Sequence, residues 1–283
     1  MKRRVSIAVV GLMTMCHCDR PTASQAFAPP ATSATSERAR VPALLPTAAA
    51  SPSSASASAP MVEAQAEVAT FDGDPLGAPS PAFEAVVGDW YVADEADARA
   101  LKVDGAKWRN GEPSANIADQ AKRLYGDRYA EFLDGVKAFA FYPLAIWKRD
   151  PPAGDMRVAM RFYPLAGRID QGAGIAFAVS PDGSYFGARA NALEDNILFF
   201  RVVKGKRTII DTIRNVSTPS KVWHTFAIEL RGKVLTIELD GKKRFEKTLD
   251  APPIGRLALW SKADSQVLFD DFAVVPLSPK VAP

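Results

Sequence analysis

Cysteine is nearly missing from this 283-residue chain, and its placement excludes a disulfide framework. The only two, Cys16 and Cys18, end a short N-terminal apolar segment, whereas a disulfide-stapled domain needs cysteines within its folded part. Histidine is as scarce, with His17 and His224 alone. A metal site of the His/Cys kind therefore lacks ligands. A Ser-His-Asp arrangement could use only His224, and no Gly-x-Ser-x-Gly elbow accompanies it. Phosphate-binding glycine loops leading into a helix are absent too. No run of 18 or more apolar residues offers a spanning helix. Excess charge is also lacking: the formal net charge is +3, and no basic run lies outside the extreme N-terminus, which argues against nucleic acid as a partner. Of 26 aromatic residues only Phe27 precedes position 71. Core-forming material is thus confined to 71–276, enough for one sizeable domain.

What the N-terminal part does contain is an address. Lys2-Arg3-Arg4 followed by the apolar Val5 to Met15 reads as the charged and hydrophobic regions of an export signal over 1–18. Cys16 stands where a bacterial lipoprotein signal carries its lipid anchor, although Leu12-Met13-Thr14-Met15 departs from the usual lead-in. Ordinary secretion is the alternative. The expected location is the periplasm or outer surface, with membrane contact only through a lipid on Cys16. Residues 19–70 read as a disordered linker. Between 21 and 70, 36 of 50 residues are Ala, Pro, Ser or Thr, a composition that cannot offset the entropy of ordering itself.

Beyond 71 the pattern becomes one of strands. In Asp155 to Tyr163, Met156, Val158, Met160 and Phe162 take one face while Arg157, Ala159, Arg161 and Tyr163 take the other, a period of two that marks a half-buried strand. Phe71-Asp72 is expected as a short edge strand, Trp90-Tyr91-Val92 as the next, and 138–147 as β-type. Further strands are expected near 173–179, 185–192, 197–203, 207–213, 224–231, 234–240, 243–247, 255–260 and 267–275. Pro181-Asp182-Gly183, Gly205, Gly232 and Asp240-Gly241 supply turns between them. Helix formers at helical spacing within 94–137 predict one or two short helices inserted near 106–136. Repeated short strands imply an all-β sandwich or barrel rather than crossover units, and 277–283 form a tail.

Several segments carry a resemblance. They are Phe71-Asp72 with Gly77 and Pro79, Gly167 through Gly174, Tyr185 through Asn196, Trp223-His224-Thr225, Asp240-Gly241, and Leu259 through Ser265 followed by Phe269-Asp270-Asp271. In this order they resemble a concanavalin A-like, laminin-G-type jelly-roll family that includes domains labelled 3-keto-disaccharide hydrolase-like or of unknown function. The resemblance implies a two-sheet antiparallel β-sandwich (jelly roll) over 71–276. It also implies that polar residues of a concave face and its rim loops are available to a saccharide, a glycan or cell-envelope polysaccharide. The fold hosts lectins, glycanases and plain interaction modules alike, so activity does not follow from it.

Within that frame Arg189 and Asn191 share one face of their strand, and Phe186, Ala188 and Ala190 the other. Trp260, Lys262 and Asp264 share a face in the same way, with Trp260 expected in the core. Arg168, Asp170, Arg189, Asn191, Lys262 and Asp264 are the candidate ligand-binding residues, because guanidinium forks, amides and carboxylates match the hydroxyl pairs of a sugar. The alternative for all of them is a set of buried polar braces that pin loops. Asp270 and Asp271 are expected as such a brace, closing the last strand on the first. Hydrolysis would need two convergent carboxylates. Glu194 and Asp195 are the candidates for acid or base, yet as neighbours on an extended strand they would point apart. The Glu-x-Asp-x-Glu strand of this fold's glycanases is absent. A carbohydrate-binding or surface-interaction module is therefore the preferred reading, with a glycoside hydrolase acting on a (keto-)disaccharide or related glycan as the alternative. Glu229 and Glu238 read as surface charges. No cofactor is expected; calcium would find hard ligands in Asp170, Glu194, Asp195 and Asp264, but without a recognisable spacing.

Overall fold

The computed structural model describes residues 65–107 and 142–278. The chain divides into Met1–Ser58 and Ala59–Pro283, and every described residue belongs to the second unit. The export signal, most of the linker, the 108–136 part of the expected helical insertion and the start of the β-type stretch at 138–141 lie outside the described residues.

Fifteen strands succeed one another: β1 (Glu67–Ala69), β2 (Phe83–Val87), β3 (Trp90–Glu95), β4 (Ala98–Asp104), β5 (Leu144–Trp147), β6 (Met156–Ala166), β7 (Gly172–Val179) and β8 (Tyr185–Asn191). Then come β9 (Asn196–Val203), β10 (Lys206–Arg214), β11 (His224–Arg231), β12 (Val234–Leu239), β13 (Lys242–Thr248), β14 (Arg256–Ser261) and β15 (Gln266–Pro276). One sheet runs β13-β12-β11-β6-β15-β4-β3 with β1 added on β15, and the other runs β10-β9-β8-β7-β14-β5-β2. Every ladder is antiparallel. Strand periodicity predicts an all-β sandwich or barrel, and the structure is the two-sheet antiparallel sandwich that the resemblance implies.

The main core lies between the sheets. Met156, Val158, Met160 and Phe162 of β6 face it together with Phe226, Ile228 and Leu230 of β11. They meet Ile175, Phe177, Phe199, Leu257 and Leu259 of the seven-stranded sheet. Phe83, Trp147 and Phe272 close one side, with ring centroids 5.1–5.2 Å apart. Hairpins turn where the sequence places glycine: Lys204-Gly205 and Asp240-Gly241 adopt paired positive φ of 43° and 83°, and of 51° and 69°. That backbone matches the right-handed twist of the flanking strands.

Two expectations are corrected. Phe71-Asp72 is a turn, with the Asp74 N–H donating to the Phe71 carbonyl at 3.0 Å, and Phe71 is fully buried in the core. The edge strand lies earlier, at β1, within the stretch read as linker. Its ladder partners Phe272, Ala273 and Val274 on β15 supply what its own composition does not. Residues 98–104, inside the region read as helix-bearing, form β4, which pairs with β3 and β15.

β15 is long enough to serve two partners on one edge. β4 pairs with Gln266 to Phe269, and β1 with Phe272 to Val274. Between them a register shift accompanies Asp271 at φ +47°. There Asp270 and Asp271 both approach Arg161 Nη1, at 3.7 and 3.2 Å, at the point where the last strand passes from β4 to β1. Glu229 and Glu238 form ion pairs with Arg231 and Arg157, at 2.7 and 2.6 Å.

Candidate functional site

Alternation on β8 sends Ala188 and Ala190 into the main core and Arg189 and Asn191 to the outer face of the seven-stranded sheet. That face is not polar throughout. Tyr142, Tyr185, Leu198, Phe200, Val202 and Trp260 belong to a second apolar cluster upon it. Trp260 is fully buried, 5.0 Å from the Phe200 ring and 5.4 Å from the Tyr142 ring, and its Nε1–H donates to the Tyr185 hydroxyl at 3.1 Å. Phe200 can lie across β8 because position 187 is glycine: a Cβ there would fall 2.3 Å from the ring. Trp260 is thus core, as expected, and no platform for a ligand.

At one end of this face the apolar cluster gives way to charge. Arg189, 1% exposed, donates from Nη1 to Asn196 Oδ1 and from Nη2 to Glu194 Oε2, each at 2.6 Å. Asn196 Nδ2 also donates to Glu194 Oε2 at 2.9 Å. Asp170, with no exposed surface, accepts from Asn191 Nδ2 at 2.7 Å on Oδ1 and from the Lys262 ammonium on Oδ2. Arg189 Nε is buried and has no hydrogen-bond partner among the described residues. The four charges influence one another. Burial raises the Asp170 carboxyl above the usual aspartate range, against the pull of Lys262 and Arg189. Burial likewise lowers Arg189. For Glu194 burial pushes upward, but the charge and hydrogen bond of Arg189, with Asn196 adding to them, hold it below the usual range.

Loop architecture fixes this cluster. Asp264 accepts the N–H groups of Arg168, Ile169 and Asp170 at 2.9, 2.9 and 3.0 Å, so it orders the loop that carries Asp170. Those backbone bonds outweigh its burial and lower its carboxyl. Asn191 Oδ1 accepts from the Leu193 N–H at 3.0 Å, and Gln171 joins the Ser220 hydroxyl at 2.5 Å. Asp195, at φ +44°, accepts the Thr218 N–H on Oδ1 at 3.2 Å and thereby pins the 216–218 loop.

Of the six candidate binding residues, Asp170, Arg189, Asn191 and Lys262 come together. Asp264 does not join them: β14 ends at Ser261 and Ala263 takes φ +47°, so parity along a strand no longer decides where the Asp264 carboxylate points. Arg168 has an exposed side chain and contributes its backbone N–H. Glu194 and Asp195 diverge, Glu194 to Arg189 and Asp195 to the 216–218 loop. Asn196 was missed, although it stands opposite Asn191 across the tight β8–β9 turn. Arg207 was missed as well; it pairs with Val202 of β9 and so shares the outer face. The signal for both was strand parity, followed one strand beyond Arg189 for Asn196 and two for Arg207. His224 is held between Asp240 Oδ2, 2.9 Å from Nδ1, and the Pro219 carbonyl, 3.0 Å from Nε2. Among the described residues no three of His, Cys, Asp and Glu gather as a metal-binding group.

No family model matches the chain, and no curated protein sequence matches it. Among solved structures it is similar to a carbohydrate-binding module, CBM66, from Bacillus subtilis, at 12% identity and a TM-score of 0.49, over 71% of this chain and 100% of that one. A Bacillus subtilis protein of unknown function with a galectin-like fold aligns at 11% identity and a TM-score of 0.40, over 49% of this chain and 79% of that one. A Bacillus licheniformis β-glucanase aligns at 11% identity and a TM-score of 0.38, over 48% and 72% respectively.

Proposed function

We propose that this chain is a carbohydrate-binding module whose site is the Arg189 cluster. The observation that carries this reading is the unpartnered, buried Nε–H of Arg189. A buried donor without an acceptor costs about 1–3 kcal/mol, and a ligand hydroxyl or carboxylate would supply the missing partner. Three features support it. Arg189, Asn196 and Glu194 set donors and acceptors side by side in a fixed fork, as adjacent sugar hydroxyls require. Glu194, with 39% of its side chain exposed, and Lys262, with 19%, give the cluster an edge on solvent. The loops around it are tied to one another by Asp264, Gln171 and Asp195, which limits the cost of ordering on binding. A glycan array probed with the full chain tests the proposal. Wild type should retain at least one glycan class and Glu194→Gln should weaken that retention; wild type that retains none sinks the reading.

Glycoside hydrolysis is a second reading, favoured by one observation. Asp170 and Glu194 both act on Arg189, yet their environments push their carboxyls in opposite directions, which is how acid and base roles are separated on one site. Incubation with disaccharides, oxidised ones included, and assay of released reducing sugar decides it.

Export belongs to the same proposal, with Cys16 as lipid anchor. It is supported by the basic, apolar and cysteine-terminated order of residues 2–16. Fractionation with metabolic lipid labelling tests it: export without label removes the anchor, and a cytoplasmic pool with an intact N-terminus removes both.

A further inference from the structure

We propose that the saccharide held on this face is an acidic one, with its carboxylate received by Arg207 and Arg189. The inference rests on the glycan-binding reading and adds the ligand class to it. Its basis is an imbalance of donors and acceptors across the outer face of the seven-stranded sheet. Tyr185 and Arg207 both stand opposite Val202 of β9, from its two sides, and Arg189 stands opposite Leu198. All three therefore project on the same side as the Trp260 cluster. Arg189 Nε and Arg207 Nη1 are buried N–H groups without hydrogen-bond partners among the described residues. The Tyr185 hydroxyl already accepts from Trp260 Nε1, so its own proton is left to donate.

Three of the four carboxylate oxygens of the cluster are already engaged. Both Asp170 oxygens receive Asn191 and Lys262, and Glu194 Oε2 receives Arg189 and Asn196. Arg207 has no carboxylate partner among the described residues; its guanidinium lies instead over the rings of Tyr142 and Phe200, at 5.0 and 5.6 Å. The two guanidinium groups are also near enough for the Arg207 charge to add to the lowering of Arg189. Those ring contacts attract the cation but give it no counter-charge, and a carboxylate would supply one with charge-assisted hydrogen bonds. A neutral sugar hydroxyl could accept from one of these N–H groups but would leave the charge uncompensated. The chemistry required is an oxyanion. A free inorganic anion offers it too, without the sugar hydroxyls that the Glu194–Asn196 fork would bind.

Calorimetric titration of the full chain separates these cases, using a uronate oligosaccharide, its neutral counterpart, and acetate or phosphate alone. The acidic oligosaccharide should bind at least about tenfold more tightly than the neutral one. That margin should shrink at high salt, as charge-driven binding does. Arg207→Gln should abolish the margin and Arg207→Lys should retain most of it, with melting temperatures reported for both to exclude unfolding. Equal affinity for the two oligosaccharides, or a margin that survives Arg207→Gln in a folded protein, overturns the inference and leaves glycan binding standing. Acetate or phosphate binding as tightly as the uronate overturns the saccharide assignment. Failure of every saccharide to bind removes the underlying reading itself.

Discussion

Arg189 on β8 stands directly opposite Gly174 on β7, and a Cβ at position 174 would fall 2.6 Å from the Arg189 Cβ. The arginine fits at this position only because its cross-strand neighbour has no side chain. The same added atom would meet the Ala188 carbonyl at 2.4 Å, so the backbone offers no relief. Gly174→Ala should destabilise the domain by about 1–3 kcal/mol, the usual cost of overpacking. It should also displace Arg189 and weaken any ligand of the cluster. Thermal melts alongside a binding assay check this; an unchanged melting temperature would contradict it.

Lys262 is the cation that makes a fully buried aspartate tolerable. Lys262→Met leaves the Asp170 carboxylate with only the Asn191 amide and the more distant charge of Arg189. Removing one member of a buried pair costs about 3–5 kcal/mol, which is the loss expected at neutral pH. The folded-state carboxyl of Asp170 is already raised by burial, and losing Lys262 raises it further. An acid raised in the folded state is favoured by protonation, so the deficit of the variant should narrow as pH falls toward the unfolded carboxyl range. Melting curves from pH 8 to pH 4 would refute this if the gap stayed constant.

Glu194 has the opposite sign. Arg189 and Asn196 hold its carboxyl below the usual glutamate value, so the pair contributes stability above the unfolded pKa that is lost as pH falls through the lowered one. Because 39% of the side chain is exposed, screening keeps the contribution small, about 1 kcal/mol or less. Glu194→Gln should lower stability by that amount at pH 7 and by nothing once both forms are protonated.

Asp270 is a stability cost at neutral pH. Burial first, then the Asp271 charge, raise its carboxyl to about 6, with Arg161 only partly opposing them. The folded protein therefore prefers the protonated form, and stability falls as pH rises from the unfolded value through about 6. Asp270→Asn should be neutral to stabilising at pH 8, by up to roughly 3 kcal/mol, and without effect at pH 4. A clear loss of stability at pH 8 would show that the Arg161 contact outweighs the burial.

Much of the sandwich was legible because alternation is a local property. Met156 to Phe162 announce their buried face without reference to any other strand, and Arg189 and Asn191 announce theirs against Ala188 and Ala190. β1 and β4 were not legible for the complementary reason. Glu67–Ala69 is a strand through its ladder with β15, and Ala98–Asp104 through ladders with β3 and β15. Short segments of weak propensity take their conformation from such partners.

Composition and periodicity by themselves determined the class of fold, the confinement of the core to the C-terminal three-quarters, and the side of β8 on which its polar residues emerge. Each of these depends on residue type and a period of two, both carried by the chain in linear form. Tertiary structure decided which polar residues meet. Asp170 and Lys262 are 92 residues apart and Arg161 and Asp271 are 110, and their contacts exist only because sheet order brings β7 beside β14 and β6 beside β15. It also decided the role of Asp264: a positive φ at Ala263 breaks the alternation and turns that carboxylate onto the backbone of residues 168–170. Parity ends where the strand ends, and past that point hydrogen bonding to whatever backbone lies nearby sets the direction of a side chain.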